Sequence, residues 1–156
     1  MAALVLSQAT TQADIALARE LFLEYQSELG ISLCFQGFDA ELAALPGSYV
    51  PPRGRLLIAR FDNQAGGCGA LRPLSGEIGE MKRVFVRPGM RGHRAGLAIC
   101  EALVAAARQA GYAKLRLDTL PTMRAAQALY ARLGFVDTAP YTDNPVEGAR
   151  FMELAL

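Results

Sequence analysis

The segment Glu80–Gly96, which reads EMKRVFVRPGMRGHRAG, indicates a strand that leads through a basic, glycine-containing loop directly into a helix. The first N–H groups of a helix have no helical partner, and the helix dipole adds positive potential, so such a loop can bind phosphate. Arg91 and Arg94 increase that potential. The same turn also serves as a tight connection without a ligand, and the loop alone leaves both interpretations open.

Two common phosphate-binding loops do not fit this segment. A P-loop ends in Gly-Lys-Ser or Gly-Lys-Thr, and neither triplet is present. The spacing of glycines in a dinucleotide-binding turn, GxGxxG, is also absent. An anion site in this loop would therefore belong to another class.

The chain after this loop alternates between helices and strands. Apolar residues at helical spacing predict a long helix from Met90 or soon after, which Gly111 ends. Lys114–Asp118 alternates like a half-buried strand, with the leucines on one face. The stripe of the long helix consists of Leu97, Cys100, Val104 and Ala107.

A second helix is predicted from about Thr122 to Leu133, stopped by Gly134. Its apolar stripe is Ala126, Leu129 and Leu133. Tyr130 lies beside that stripe, so we expect it to be free to face a cleft. Two strands follow, one beginning at Phe135 and Val136, the other at Phe151–Leu156.

The N-terminal half predicts a strand, two helices and a hairpin. Thr11, with Asp14 three residues later, indicates a helix start, and Gly30 ends that helix. Asp62 and Asn63 suit the turn of a hairpin. The strands are expected at Leu4–Leu6, Arg55–Arg60 and Ala65–Arg72, and a short helix over Asp39–Leu45. This order indicates an α/β or α+β domain with a mixed sheet.

Length and composition limit the function classes. The 156 residues suit one domain over positions 1–156, and a net charge of +1 gives no general attraction to nucleic acid. No stretch approaches the ~20 apolar residues of a membrane span. The three cysteines are scattered and not grouped with the single histidine, so we expect reduced, buried thiols, no metal site and a cytoplasmic protein.

The strand, the RGHRAG loop at Arg91–Gly96 and the later LYARLGF segment resemble the GNAT N-acetyltransferase superfamily, over nearly the whole chain. The resemblance implies an α+β (α/β three-layer sandwich) acyl-CoA N-acyltransferase fold, with a mixed central sheet of about six to seven strands and flanking helices. It also implies that acetyl-CoA binds between two splayed strands, Glu80–Val86 and Lys114–Asp118.

The family's loop pattern implies the cofactor contacts. It reads Gln or Arg, two residues, Gly, one residue, then Gly or Ala, and it begins here at Arg91. Arg94 stands where the family has glycine, and Met123 where many members have an asparagine. By resemblance, the backbone of Val84, Phe85 and Val86 holds the pantetheine arm, and the pyrophosphate is held by Gly92, His93, Arg94, Ala95, Gly96 and Leu97.

Acetyl transfer to an amine needs a neutral nitrogen, and a carboxylate can accept the proton of the ammonium. Glu80 and Asp118 occupy positions where family members carry such a base. A solvated charge at Glu80 and a turn-bonding carboxylate at Asp118 are the alternatives. Tyr130 corresponds by resemblance to the general acid that protonates the leaving thiolate, and a tyrosine packed on the sheet edge is its alternative. We expect direct transfer, without a covalent enzyme intermediate.

The acceptor is expected to be a small-molecule amine or a peptide, bound by the first helix, the loop after it and the loop before the last strand. The residues there are Tyr25, Glu28, Phe35, Phe38, Tyr141, Thr142, Asp143 and Asn144. Aromatic rings and carboxylates suit a small cationic amine, although Phe35 and Phe38 equally suit a core-covering role. A non-catalytic acyl-CoA-binding or sensing domain is the alternative function. A homodimer is compatible with a chain of this size.

Overall fold

The computed structural model describes residues 3–156, apart from the side chain of Phe35, and shows a seven-stranded mixed sheet with helices on both faces. The strands are β1 (Leu4–Gln8), β2 (Arg55–Phe61), β3 (Gln64–Ser75), β4 (Ile78–Val86), β5 (Lys114–Thr119), β6 (Val136–Asp137) and β7 (Arg150–Ala155). The α-helices are α1 (Gln12–Leu29), α2 (Phe38–Ala44), α3 (Ala95–Gln109) and α4 (Arg124–Leu133), with 3₁₀ turns at Cys34–Gln36 and Pro88–Met90. The predicted fold class is confirmed.

The strand order is β1-β2-β3-β4-β5-β7-β6, and β4 and β5 run parallel in the middle. Their pairing joins Ile78–Glu80 to Lys114–Arg116 and then stops. Beyond Glu80, the side of β4 that faces β5 has no strand partner among the described residues. The two central strands therefore splay apart and leave a gap at the carboxyl end of the sheet.

A β-bulge at Arg83 turns the side chains of β4 at the gap. Arg83 has a φ of 60°, and the pairing with β3 shifts between Ala70↔Lys82 and Cys68↔Phe85. An extra residue of β4 therefore stands opposite β3 there, as in bulges near active sites. Because of it, consecutive side chains at 82 and 83 both reach Gln36 on the same side of the sheet.

The helices bury both faces of the sheet. α1 and α2 cover one face through a cluster that includes Phe22 and Phe38, and α3 covers the other through a cluster that includes Ile99 and Leu103. A Cβ added at Gly69 would lie 2.5 Å from Cγ2 of Ile99, so this glycine lets α3 approach β3 closely. Within residues 3–156, there is no helix long and apolar enough to cross a membrane.

Several local predictions are confirmed. The Thr11 hydroxyl accepts a hydrogen bond from the Asp14 N–H (3.1 Å) and caps α1, and Gly30 ends that helix in the left-handed conformation. Asp62 and Asn63 both have positive φ, as a hairpin turn of two residues requires.

The start of α3 differs from the prediction. The helix begins at Ala95, not near Met90, because Pro88–Met90 forms a separate 3₁₀ turn. The four residues between the two elements are therefore free to form the loop. Likewise, α4 begins at Arg124, two residues after the predicted Thr122.

The predicted apolar stripe of α4 is present, because Ala126, Leu129 and Leu133 pack against the core, but Tyr130 is more buried than expected. Tyr130 is its buried residue, 5% exposed, whereas Leu129 and Leu133 are only half-buried. The reason is that α4 lies beside the splayed strands, where a large side chain fills the gap. The expectation that all thiols are buried was wrong for Cys34, which is exposed on the 3₁₀ turn after α1.

Candidate functional site

A cleft of about 680 Å³ opens between the end of β4, the C-terminal part of α1 and the N-termini of α3 and α4; we call it the outer cleft. Its volume is in the range of small-molecule sites. The predicted cofactor residues that line it are Val84, Phe85, Val86, Arg91, Gly92, Arg94, Ala95 and Gly96. An elongated ligand with an anionic end fits this cleft, because unpaired strand backbone lies at one end and a basic helix start at the other.

The loop before α3 presents backbone donors to the outer cleft. The first hydrogen bond of the helix runs from the Ala98 N–H to the Arg94 carbonyl (3.0 Å), so the N–H groups of residues 95–97 have no helical acceptor. Gly92 has a φ of 85°, which favours glycine. Arg94 has a φ of 60° and occupies the N-cap position without a side-chain cap, so it adopts a conformation that glycine adopts with less strain.

The arginines around the outer cleft are not equivalent. Arg91 forms an ion pair with Glu28 of α1 and donates to the Val86 carbonyl (3.1 Å). Arg94 and Arg124 also line the cleft and form no ion pair within residues 3–156. Their guanidinium groups are therefore available to an anionic ligand, whereas Arg91 ties the loop to α1.

Two of the predicted cofactor residues do not line the outer cleft. The ring of His93 turns back toward β2 and lies 5.1 Å from the ring of Phe61, between centroids. Leu97 is half-buried in the first turn of α3. These two positions can therefore contact a ligand in the outer cleft only through their backbone.

The outer cleft continues inward to a polar cavity of about 30 Å³ at the gap between β4 and β5, which we call the inner cavity. Both spaces are bordered by Tyr25, Leu29, Val84 and Met123. Met123, which takes the place of the family's asparagine, is thus part of the border. The polar groups of the inner cavity come from Tyr25, Gln36, Lys82, Arg83, Asp118, Thr119, Tyr130 and Asn144.

Tyr130 lines the inner cavity. Its ring packs on Phe135, with 5.9 Å between centroids, and its hydroxyl has no side-chain hydrogen-bond partner in the described part of the chain. Burial raises the pKa of Tyr130 well above its ordinary value. The phenol therefore stays protonated at neutral pH and is a donor without a fixed acceptor.

Asp118 lies in the same cavity, at the end of β5. Its Oδ2 accepts hydrogen bonds from the side-chain amides of Gln36 (3.2 Å) and Asn144 (3.1 Å). These amides hold the carboxylate in place, and Oδ1 accepts no side-chain hydrogen bond within residues 3–156. The structure thus brings Asp118 and Tyr130 to one cavity.

Glu80 is placed differently. It is 1% exposed and does not line either space. Arg72 donates to its Oε1 through two nitrogens, each at 2.8 Å, and the Tyr141 hydroxyl donates to its Oε2 at 2.7 Å. Both oxygens are therefore engaged, and Glu80 joins β4 to the loop before β7.

The expected acceptor elements contribute unequally. Tyr25 borders both spaces, and burial raises its pKa to about 12. Phe38 is fully buried, with the Arg83 guanidinium 5.1 Å from its ring centroid, so it covers the core. Thr142 and Asp143 are exposed and line neither space. The side chain of Phe35 lies outside the described part.

The sequence analysis missed Lys82 and Gln36. The Lys82 ammonium, on a residue that is 7% exposed, donates to Gln36 Oε1 (3.1 Å), and burial lowers its pKa. Gln36 also accepts from Arg83 (2.7 Å), whose guanidinium forms a buried ion pair with Glu41. A lysine inside an apolar strand was the available signal, but the bulge that aims it inward is not visible in the sequence.

Comparison with known proteins gives consistent matches. A model of the Acetyltransferase (GNAT) family matches residues 17–135. A Schizosaccharomyces pombe protein, named an uncharacterized N-acetyltransferase, is 39% identical over 138 residues, covering 87% of this chain and 85% of that relative.

Solved structures agree with this at the level of the fold. An acetyltransferase of the GNAT family from Staphylococcus aureus matches with a TM-score of 0.80 at 18% identity, covering 98% of this chain and 99% of that chain. A Salmonella typhimurium structure that contains acetyl-CoA as its cofactor matches with a TM-score of 0.72 at 19% identity, covering 98% and 94% of the two chains.

Proposed function

Because the chain belongs to the acetyltransferase (GNAT) family, we propose that it transfers the acetyl group of acetyl-CoA directly to a primary amine. The observation that carries the proposal is the junction of the two spaces. The outer cleft offers helix-start N–H groups, and two arginines that form no ion pair within residues 3–156, to an anionic group. It leads to a cavity that holds a phenol and a carboxylate. Acetyl-CoA supplies an activated acetyl group and a thiolate leaving group.

Tyr130 is the proposed general acid. Its burial keeps the proton on the phenol, and its hydroxyl has no competing side-chain partner within the described residues. A CoA-like thiol has a pKa of about 8.5 against about 10 for an unperturbed phenol. Burial raises the pKa of the phenol further, so Tyr130 first stabilises the negative charge that develops on sulfur by a hydrogen bond, and the proton moves to sulfur as the C–S bond breaks.

Asp118 is the proposed base. It faces the same cavity as Tyr130, and two amides orient it. An alkyl ammonium with a pKa of about 10.4 must lose a proton before it attacks, which costs roughly 4–5 kcal/mol at neutral pH. Asp118 accepts that proton, directly or through water. As the C–N bond forms and the C–S bond breaks, Tyr130 gives its proton to sulfur, and the second proton lost by nitrogen returns Tyr130 to the phenol.

Glu80 was the other predicted base. In the proposed mechanism it positions the site, because its oxygens are bound by Arg72 and Tyr141. Backbone N–H groups of β4 beyond the bulge, near Val84–Val86, are the proposed stabilisers of the oxyanion. Direct transfer needs no cysteine: Cys68 and Cys100 are buried, and Cys34 lines neither space.

The test is thiol release from acetyl-CoA with a broad panel of amines, run on the wild type and on Tyr130→Phe, with acetyl-CoA binding measured separately by calorimetry. We expect release with at least one amine, matched by acetylated product, and a large loss of turnover in the variant at unchanged binding. Binding without turnover on any amine would favour a non-catalytic acyl-CoA-binding domain. Absence of binding contradicts the proposal entirely.

A further inference from the structure

The ammonium of Lys82 lacks a full set of partners in the inner cavity. An ammonium has three hydrogen-bond donors, and Lys82 makes one side-chain hydrogen bond within residues 3–156, to Gln36 Oε1 at 3.1 Å. The nearest carboxylate oxygen, Glu80 Oε1, is 4.0 Å away. A buried cation is costly unless it is paired and hydrogen-bonded, so this geometry favours an additional anionic partner.

The neighbouring carboxylates form no hydrogen bond with the Lys82 ammonium within residues 3–156. Glu80 Oε1 lies at the 4.0 Å limit of an ion pair, and Asp118 is linked to Lys82 only through Gln36. Both oxygens of Glu80 are already bound, by Arg72 and by Tyr141. Glu41 forms two hydrogen bonds with Arg83, each at 2.9 Å. The remaining open side of the Lys82 ammonium is the inner cavity, which its side chain lines.

Gln36 separates this cation from the carboxylate of Asp118. Its side-chain oxygen accepts from Lys82, and its side-chain nitrogen donates to Asp118 Oδ2 at 3.2 Å. The side-chain amide of Gln36 therefore holds the Lys82 ammonium and the Asp118 carboxylate side by side along the cavity wall. A ligand that carries an ammonium and a carboxylate close together matches this arrangement.

Resting on the proposed function, we propose that the acceptor amine is an amino acid, whose carboxylate binds Lys82 while its amino group lies at Asp118. The inner cavity has room for roughly two water-sized groups at ~10–15 Å³ each, so only the amino and carboxylate groups of the acceptor reach into it. The amino acid side chain must lie outside the inner cavity. Lys82 is thus a specificity residue for the carboxylate.

The experiment compares three forms of each acceptor: the amino acid, its carboxamide and the amine that lacks the carboxylate. Small, apolar, acidic, basic and aromatic side chains are included, and kcat/KM is measured with saturating acetyl-CoA. We expect the wild type to prefer the amino acid over both other forms by about tenfold or more, the effect of one charge-assisted hydrogen bond.

Lys82→Met keeps the length of the side chain and removes its charge. We expect it to lose the preference, with a tenfold or larger fall for the amino acid and little change for the carboxamide. Lys82→Arg is expected to keep the preference. The matched control is Lys114→Met, since Lys114 is exposed and pairs with Glu153 outside both spaces.

Three results overturn the inference. The first is equal use of the amino acid and its carboxamide by the wild type, and the second is an equal loss on both in Lys82→Met. In either case acetyl transfer itself stands. The third is that acetyl-CoA binds but no amine of the panel gives thiol release. That result overturns the proposed function together with the inference. If Lys82→Met does not fold, the wild-type preference and Lys82→Arg decide.

Discussion

The outer cleft is formed mainly by backbone groups, whereas the inner cavity is formed mainly by side chains. The outer cleft relies on backbone: the unpaired side of β4 and the free N–H groups before Ala98, both fixed by one contiguous segment. The inner cavity relies on side chains that meet across long distances in sequence, such as Gln36 with Asp118. The comparison teaches that the proposed donor site can be held by a local motif, whereas the proposed acceptor site depends on tertiary contacts that can change independently.

The largest expected effect comes from Tyr130→Phe, which removes only a hydroxyl from the inner cavity. Loss of general acid catalysis lowers kcat by roughly 10²–10⁴-fold. The Kd for acetyl-CoA should stay unchanged, because the outer cleft is intact. Steady-state kinetics and calorimetry check this. Equal kcat values in the two proteins would remove Tyr130 from the mechanism and leave it a packing residue against Phe135.

The second prediction distinguishes the role of Asp118 in catalysis from the role of Glu80 in stability. Asp118→Asn should lower kcat/KM by about 10²-fold or more with little loss of stability, because an amide cannot accept the proton. Glu80→Gln should instead lower the free energy of unfolding by about 2–3 kcal/mol, because Arg72 loses its buried charge partner.

Denaturant unfolding and kinetics on both variants are the measurements for this pair. If Glu80→Gln loses turnover at full stability while Asp118→Asn keeps turnover, the assignment of the base is reversed.

The third prediction concerns Tyr25, which borders both spaces. Its pKa is raised to about 12 by burial, whereas an unfolded tyrosine ionises near ~10. Between these values the unfolded chain releases a proton that the folded chain retains, so the free energy of unfolding falls as pH rises. Its contribution is at most about 1.4 kcal/mol per pH unit.

Tyr25→Phe should therefore lose stability less steeply than the wild type between about pH 10 and 12. The difference in unfolding free energy between the two proteins, measured at several pH values by denaturant titration, isolates this one phenol from other alkaline transitions. If the difference does not vary with pH, burial does not raise the pKa of Tyr25, and the prediction is wrong.

The smallest effect is expected in the outer cleft at Arg94, whose φ of 60° suits glycine. Arg94→Gly should raise the free energy of unfolding by about 1 kcal/mol by relieving left-handed strain. Arg94→Ala is the matched control: it removes the same charge and keeps the strain, so no gain is expected. Thermal unfolding of the two variants checks this, and equal gains in both would point to charge rather than conformation.

The sequence predicted the fold and the outer cleft well because their signals are local. Thr11, Gly30 and the pair Asp62–Asn63 each act on their own turn, and the order of elements then indicates a mixed sheet. The composition of the loop up to Gly96 indicated a candidate anion site, and the resemblance to a known family was needed to favour that interpretation over a plain connection. These features need no knowledge of distant contacts.

The inner cavity could not be predicted in the same way. Lys82 meets Gln36 across 46 residues and Glu80 meets Tyr141 across 61, and no local pattern encodes either contact. The bulge at Arg83 breaks strand alternation, so periodicity assigns the wrong face to its neighbours. Helical periodicity placed Tyr130 beside the apolar stripe but missed that it is the most buried residue of α4, because α4 covers a gap and not a continuous sheet.

The most direct test of the division into two spaces is to follow backbone amide signals by NMR while acetyl-CoA is added. The account predicts that the largest changes lie at residues 84–86 and 92–97, with smaller ones at Tyr130 and Asp118, and none at the sheet edges β1 and β6. Changes concentrated away from the gap between β4 and β5, or no change at saturating acetyl-CoA, would contradict it.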